Sequence, residues 1–384
     1  MKLWIPGIII LFLIAGGLAF YSSGAAPMDP FRAISVPPPP ESEVPRETFV
    51  PASGESSQRI TPATTERPSD ASAACAGTDA TNFYCYEEHY VKLVKEKGIN
   101  AAFADLKVRY QSVPYVVAQC HPLTHVIGRE AALKFETPGE AYTQGDPYCW
   151  SGYYHGILET FLDKIGRENL PQEIDHVCDG IKGKQSYSFD YYNCVHGLGH
   201  GVMAITNTEL FQSLELCELL TGEWERQSCA SGVFMENVIV DNLNHVTKYL
   251  DPKRPLYPCT DSPEKFKNTC YLMQTSYILK VNGGNFPDTF AWCRKAEELY
   301  QSTCFQSLGR DASGRTSSDA ARTKATCMLG ADYFERSNCV IGAVKDFISY
   351  FHSDKEAKVF CASLEDEKLI ALCDSTTVSY YAQF

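Results

Sequence analysis

The chain has 384 residues, a formal net charge of -13, sixteen cysteines and nine histidines. No basic stripe stands out against that negative balance, so nucleic acid is excluded as a partner class. The even cysteine count points to disulfides and an oxidising compartment.

The chain opens "MKLWIPGIIILFLIAGGLAF", one lysine followed by an apolar run over residues 3–20. As a helix that run spans roughly 27 Å, close to the ~30 Å of a bilayer core. It reads as a membrane anchor or a signal peptide (residues 1–22). Its length favours the anchor, and the small residues of "SSGAAP" suit a signal peptidase. Lys2 favours a cytoplasmic N-terminus in either case, which exports the remainder. Residues 23–72 are rich in Pro, Ser, Thr and Glu and poor in large apolar side chains. Such a stretch buries too little surface to offset its ordering entropy, and reads as a disordered linker. The folded part is expected over residues 73–384.

The cysteines fall into consecutive pairs, the later ones being Cys217/Cys229, Cys259/Cys270, Cys293/Cys304, Cys327/Cys339 and Cys361/Cys373. First members recur every 34 residues from Cys259 onward, with 42 residues for the preceding step. The lead-ins "WERQSC", "KFKNTC", "LYQSTC" and "FERSNC" each place Ser, Thr or Asn before the second cysteine. These residues suit helix N-caps, so a helix is expected to start at each second cysteine. Upstream stretches such as "DTFAWCRKAEELY" read as a first helix containing the first cysteine. The fold class is therefore all-α: an α/α solenoid of two-helix repeats, period about 34–42, with one disulfide per repeat. In period and helix pairing the array resembles tetratricopeptide and Sel1-like repeats, although it lacks the tetratricopeptide residue pattern. No CxxC occurs, which disfavours thiolate metal sites, and no CxxCH, which disfavours covalent haem.

Aligned on the second cysteine, the units read "CWSGYYHGILE", "CVHGLGHGVMA", "CASGVFMENVI", "CYLMQTSYILK", "CFQSLGRDASG" and "CVIGAVKDFIS". Three residues on stand Gly152, Gly197, Gly232, Ser307 and Gly342. Glycine costs about 1 kcal/mol in a helix interior, so its recurrence predicts close helix approach. Six residues on stand His155, His200, Met235, Ser276, Arg310 and Lys345. Equivalent positions stack on one face of a solenoid. His196 lies about 40° from His200 on the helical wheel and shares its face. "QCHPLTHVIGREA" supplies His121 and His125 at the same spacing of four.

His121, His125, His155, His196 and His200 are thus the candidate metal ligands. An imidazole-rich set suits copper, zinc or iron better than calcium or magnesium. Two groups of three are conceivable, with His245 completing the second. That resembles the histidine arrangement of type 3 copper proteins in ligand count and spacing. Met235 suits a copper-handling site. Glu130, Glu159 and Glu236 are candidate acid–base groups, Asp241 is a further acidic neighbour, and Tyr153, Tyr154, Tyr191 and Tyr192 are candidate supporting or redox groups. HExxH and GxSxG are absent, and "GLGHGV" is not a dinucleotide fingerprint. Two functions follow: a membrane-tethered, extracytoplasmic metal-dependent protein, an oxidoreductase or hydrolase; or a tethered scaffold that recruits a protein, peptide or glycan.

Overall fold

The computed structural model describes residues 75, 80–239, 247–316 and 318–382; the expected anchor, the expected linker, Asp241 and His245 lie outside them. Among the described residues there are seventeen α-helices and no strand. The long helices form one layer in chain order: α4 (Cys120–Ala132), α6 (Gly152–Ile165), α8 (Phe189–Ile205), α10 (Glu223–Ile239), α11 (Glu264–Val281), α13 (Gln301–Arg315), α15 (Tyr333–Phe351) and α17 (Glu367–Tyr381), each packed on the next. Shorter helices, α9 (Leu210–Cys217), α12 (Phe286–Cys293), α14 (Ala320–Cys327) and α16 (Lys355–Ser363), alternate with them. This is the two-helix repeat. An opening pair, α1 (Phe83–Lys97) and α2 (Ile99–Tyr110), packs on α4.

All sixteen cysteines pair with their chain neighbours: Cys75–Cys85, Cys120–Cys149, Cys178–Cys194 and the five later pairs expected above. In the regular repeats the bond joins the end of the short helix to the first half of the long one. Loops of this size each restrict the unfolded chain by about 2.5–3 kcal/mol in the chain-entropy account.

The helix starts differ from expectation. From α8 onward the long helices begin three to six residues before the second cysteine, capped by Ser188, Asp332 and Asp366 in α8, α15 and α17, whereas α6 begins three residues after Cys149. Ser228, Thr269, Thr303 and Asn338 are buried inside their helices. Three of them hydrogen-bond to the preceding repeat: Thr269 Oγ1 donates to Gln227 Oε1 (2.8 Å), Thr303 Oγ1 donates to Asn268 Oδ1 (2.6 Å), and Asn338 Oδ1 accepts from Gln306 Nε2 (3.1 Å). The recurring polar residue therefore ties repeats together. Its pattern imitates a cap because both roles need a short hydrogen-bonding side chain.

The recurring glycine does mark close approach. A Cβ at Gly232 would meet the His196 carbonyl oxygen at 1.9 Å, and one at Gly342 that of Gln306 at 1.8 Å. Gly197 is the looser case, its nearest neighbour being the Leu158 side chain at 3.1 Å.

The array also curls back on itself. Trp150 Nε1 donates to Asp346 Oδ1 on α15 (3.3 Å), and its ring lies 5.1 Å from that of Tyr350. Phe189 meets His352 edge-on at 4.6 Å. Burial raises the Asp346 carboxyl to about 7, and its Oδ2 has no hydrogen-bond partner. An unfolded chain ionises this group near 3.8 while the fold keeps it protonated up to about 7. Its contribution to stability is therefore fully present below 3.8 and lost as pH rises to about 7.

Two predictions follow from this packing. Gly232→Ala lowers stability by about 1–3 kcal/mol, the usual penalty of overpacking, read as a drop in thermal midpoint. Asp346→Asn raises the midpoint at pH 8 by more than it does at pH 4. Equal effects at both values would mean that the Asp346 charge does not burden the seam.

Candidate metal centre

The five candidate histidines converge. His121 and His125 lie on α4, His155 on α6, and His196 and His200 on α8. All are buried, at 1% to 7% exposure. The His155 and His200 rings, equivalent in adjacent repeats, stack at 4.2 Å and 13°. His155 also lies 5.2 Å from His121, 5.3 Å from His125 and 5.0 Å from His196, between ring centres. Such proximity across three helices depends on glycine. A Cβ at Gly156 on α6 would stand 2.1 Å from the His125 carbonyl oxygen, so only glycine lets the backbones meet.

Hydrogen-bond partners assign the tautomers. His121 Nδ1 faces the Cys149 carbonyl (2.8 Å), an acceptor only, so Nδ1 carries the proton. His125 Nδ1 donates to Glu159 Oε1 (2.6 Å), and His200 Nδ1 to Glu236 Oε2 (2.7 Å). Ser231 Oγ spends its hydrogen on the Ser228 carbonyl (2.7 Å) and accepts from His196 Nδ1 (2.6 Å). In the neutral rings, all four Nε2 atoms then carry lone pairs. Yet His121 Nε2 and His125 Nε2 face each other at 3.0 Å, and His196 Nε2 and His200 Nε2 at 3.3 Å. Met235 Sδ, another lone-pair atom, lies 3.1 Å from His196 Nε2. Each facing pair needs a cation, a proton or a metal ion, to join it. Two nitrogens bound to one ion at about 2.0–2.1 Å and at tetrahedral or octahedral angles lie about 2.9–3.4 Å apart. Both pairs have that bite.

The electrostatics disfavour extra protons on three of the five rings. Burial first, then the neighbouring imidazoles, hold His121, His155 and His196 well below the usual histidine range. Arg310 adds to the effect on His196. Burial acts to raise Glu159, but His125 and Arg129 outweigh it and hold the carboxylate ionised far below its ordinary value. Glu236 is lowered likewise, His200 outweighing burial. The arrangement, a carboxylate behind an imidazole behind an open nitrogen, is the one that orients metal-bound histidines.

Ligand atoms group as His121, His125 and His155; as His155, His196 and His200; and as His125, Glu159, His200 and Glu236, each set mutually within 4.8 Å. Among the described residues the second triad contains His155; His245, which the sequence offered for that group, lies outside them. No family model matches the chain, and the curated proteins and solved structures compared with it contain no significant match. The reading of the centre therefore rests on its chemistry.

The other candidates divide. Glu159, Glu236 and Met235 adjoin the cluster. Glu130 pairs instead with Lys95 (3.7 Å). Of the four tyrosines only Tyr192 touches the site, its hydroxyl lying 3.2 Å from His196 Nδ1 and 3.3 Å from Ser231 Oγ. Tyr153 bonds the Ala141 carbonyl, Tyr191 bonds Glu225, and Tyr154 packs on Tyr142. Ser231 was missed as a functional residue, although its place two after Cys229 matches that of His196 after Cys194. Arg129, four after His125, was missed too; it braces Glu159 at 3.0 Å. His89 pairs with Asp105 and His176 with Asp179, away from the cluster.

The carboxylates make the centre testable from behind. Glu236→Gln removes the charge that holds His200 and weakens affinity for a bound transition metal about 10–100-fold. Competition with a chelating dye measures it, and unchanged affinity would remove Glu236 from the centre.

Proposed function

We propose that this protein is an extracytoplasmic metalloprotein that holds transition-metal ions in its five-histidine cluster, with copper as the preferred metal and redox chemistry as its use. The single observation behind this reading is the set of four inward Nε2 lone pairs on His121, His125, His196 and His200, each with its Nδ1 proton committed elsewhere. Copper is favoured over zinc by the thioether of Met235 beside His196. An imidazole-dominated set disfavours calcium and magnesium. Redox use is favoured over hydrolysis by the deep burial of the ligands and by the aromatic hydroxyl of Tyr192 against His196. The eight disulfides support an oxidising compartment. In this reading residues 1–22 anchor the chain to the membrane and residues 23–72 hold the domain of residues 73–384 away from it.

The scaffold reading is less favoured because the five histidines converge and are buried, where a docking face would present them to solvent.

Elemental analysis of the exported, oxidised protein tests the proposal, beside a His196→Ala/His200→Ala variant. Stoichiometric copper is expected in the native chain, with loss of most of it in the variant while the helical circular dichroism persists. Stoichiometric zinc would redirect the reading to hydrolysis. No bound metal after reconstitution would overturn it.

A further inference from the structure

Resting on the metal reading above, His155 deepens it. This side chain is 1% exposed, and neither ring nitrogen has a hydrogen-bond partner. Burying an imidazole with both polar atoms unmatched is costly. The other four histidines of the cluster each have a fixed Nδ1 partner and one inward nitrogen. His155 alone among the five has two uncommitted nitrogens. It is also the member shared by the two triads, His121–His125–His155 and His155–His196–His200.

We infer that the centre is dinuclear, with His155 bridging two transition-metal ions as an imidazolate. One ion sits on the His121/His125 pair and the other on the His196/His200 pair, each pair having the bite of a chelate. The first ion takes one nitrogen of His155. Binding of the second displaces the remaining ring proton to solvent, and the freed lone pair completes the bridge. Two divalent ions bring four positive charges into a buried site. The imidazolate and the carboxylates of Glu159 and Glu236 offset three of them. Each half of the centre then has the same build: an HxxxH pair on one helix, a carboxylate holding one ring through Nδ1, and a share of His155. Met235 beside His196 distinguishes the second half.

The test uses the full oxidised chain, stripped with chelator and loaded with cupric chloride. Copper per chain is counted by elemental analysis, and unpaired spins by low-temperature EPR. Two coppers per chain are expected, with an EPR intensity well under half of the copper bound, because an imidazolate couples the two spins antiferromagnetically. In His155→Ala the intensity should rise to match the copper that remains. His155→Gln, closer in volume, serves in its place if the alanine variant loses helicity. One copper per chain, or two with full spin intensity, would overturn the bridge and leave the metal reading standing. No copper at all would overturn both.

Discussion

The structure depends on contact between helix backbones at glycine. Gly156 lies against the His125 carbonyl and Gly232 against that of His196. An alanine methyl at either place would overlap the opposing oxygen. Imidazole is a short side chain, and three helices at ordinary separation would not bring five such rings together. With the backbones touching, His155 reaches both neighbours and stacks on His200. The cost of glycine inside a helix, about 1 kcal/mol each, is offset by interhelical packing and by the disulfide that anchors each long helix. The residues that look weakest for a helix are thus the ones that make the site.

One geometric row serves two purposes. The side chains six after the second cysteine run His155, His200, Met235, Ser276, Arg310 and Lys345 along the stack. The first three adjoin or form the centre. Of the later ones, Arg310 binds the Leu272 carbonyl, Ser276 Oγ and Asp311, and Lys345 donates to Gln306. Because the array curls, this cationic part acts on the imidazole part: Arg310 helps to keep His196 unprotonated. A repeat protein can hold such opposite chemistry on one row because its helices are fixed elsewhere, by cysteine and glycine.

Much of this was legible in the sequence, for a physical reason. Cysteine spacing gave the period and pairing because each bond closes within its own repeat. The recurrence of histidine at one register position gave the cluster, since equivalent residues of a stack are neighbours. Helix starts were misread because Thr269 and Thr303 bond across repeats with side chains that also make good caps. Ser231 and Arg129 escaped notice because their value lies in the partner they meet, and a partner on another helix leaves no local spacing. The sharing of His155 by both triads depended on a ring lying between helices, which is a property of depth and not of order along the chain.

The cysteine pairing has a consequence for how the protein is made. Every disulfide joins a cysteine to the next one along the chain, across separations of 10 to 29 residues. A chain threaded through a membrane from its N-terminus presents its thiols in that same order. At each step the newest thiol to arrive is the correct partner for the one already waiting. Oxidation in order of arrival therefore yields the native set with no exchange step, and a sixteen-cysteine protein can mature without a catalyst that reshuffles its bonds.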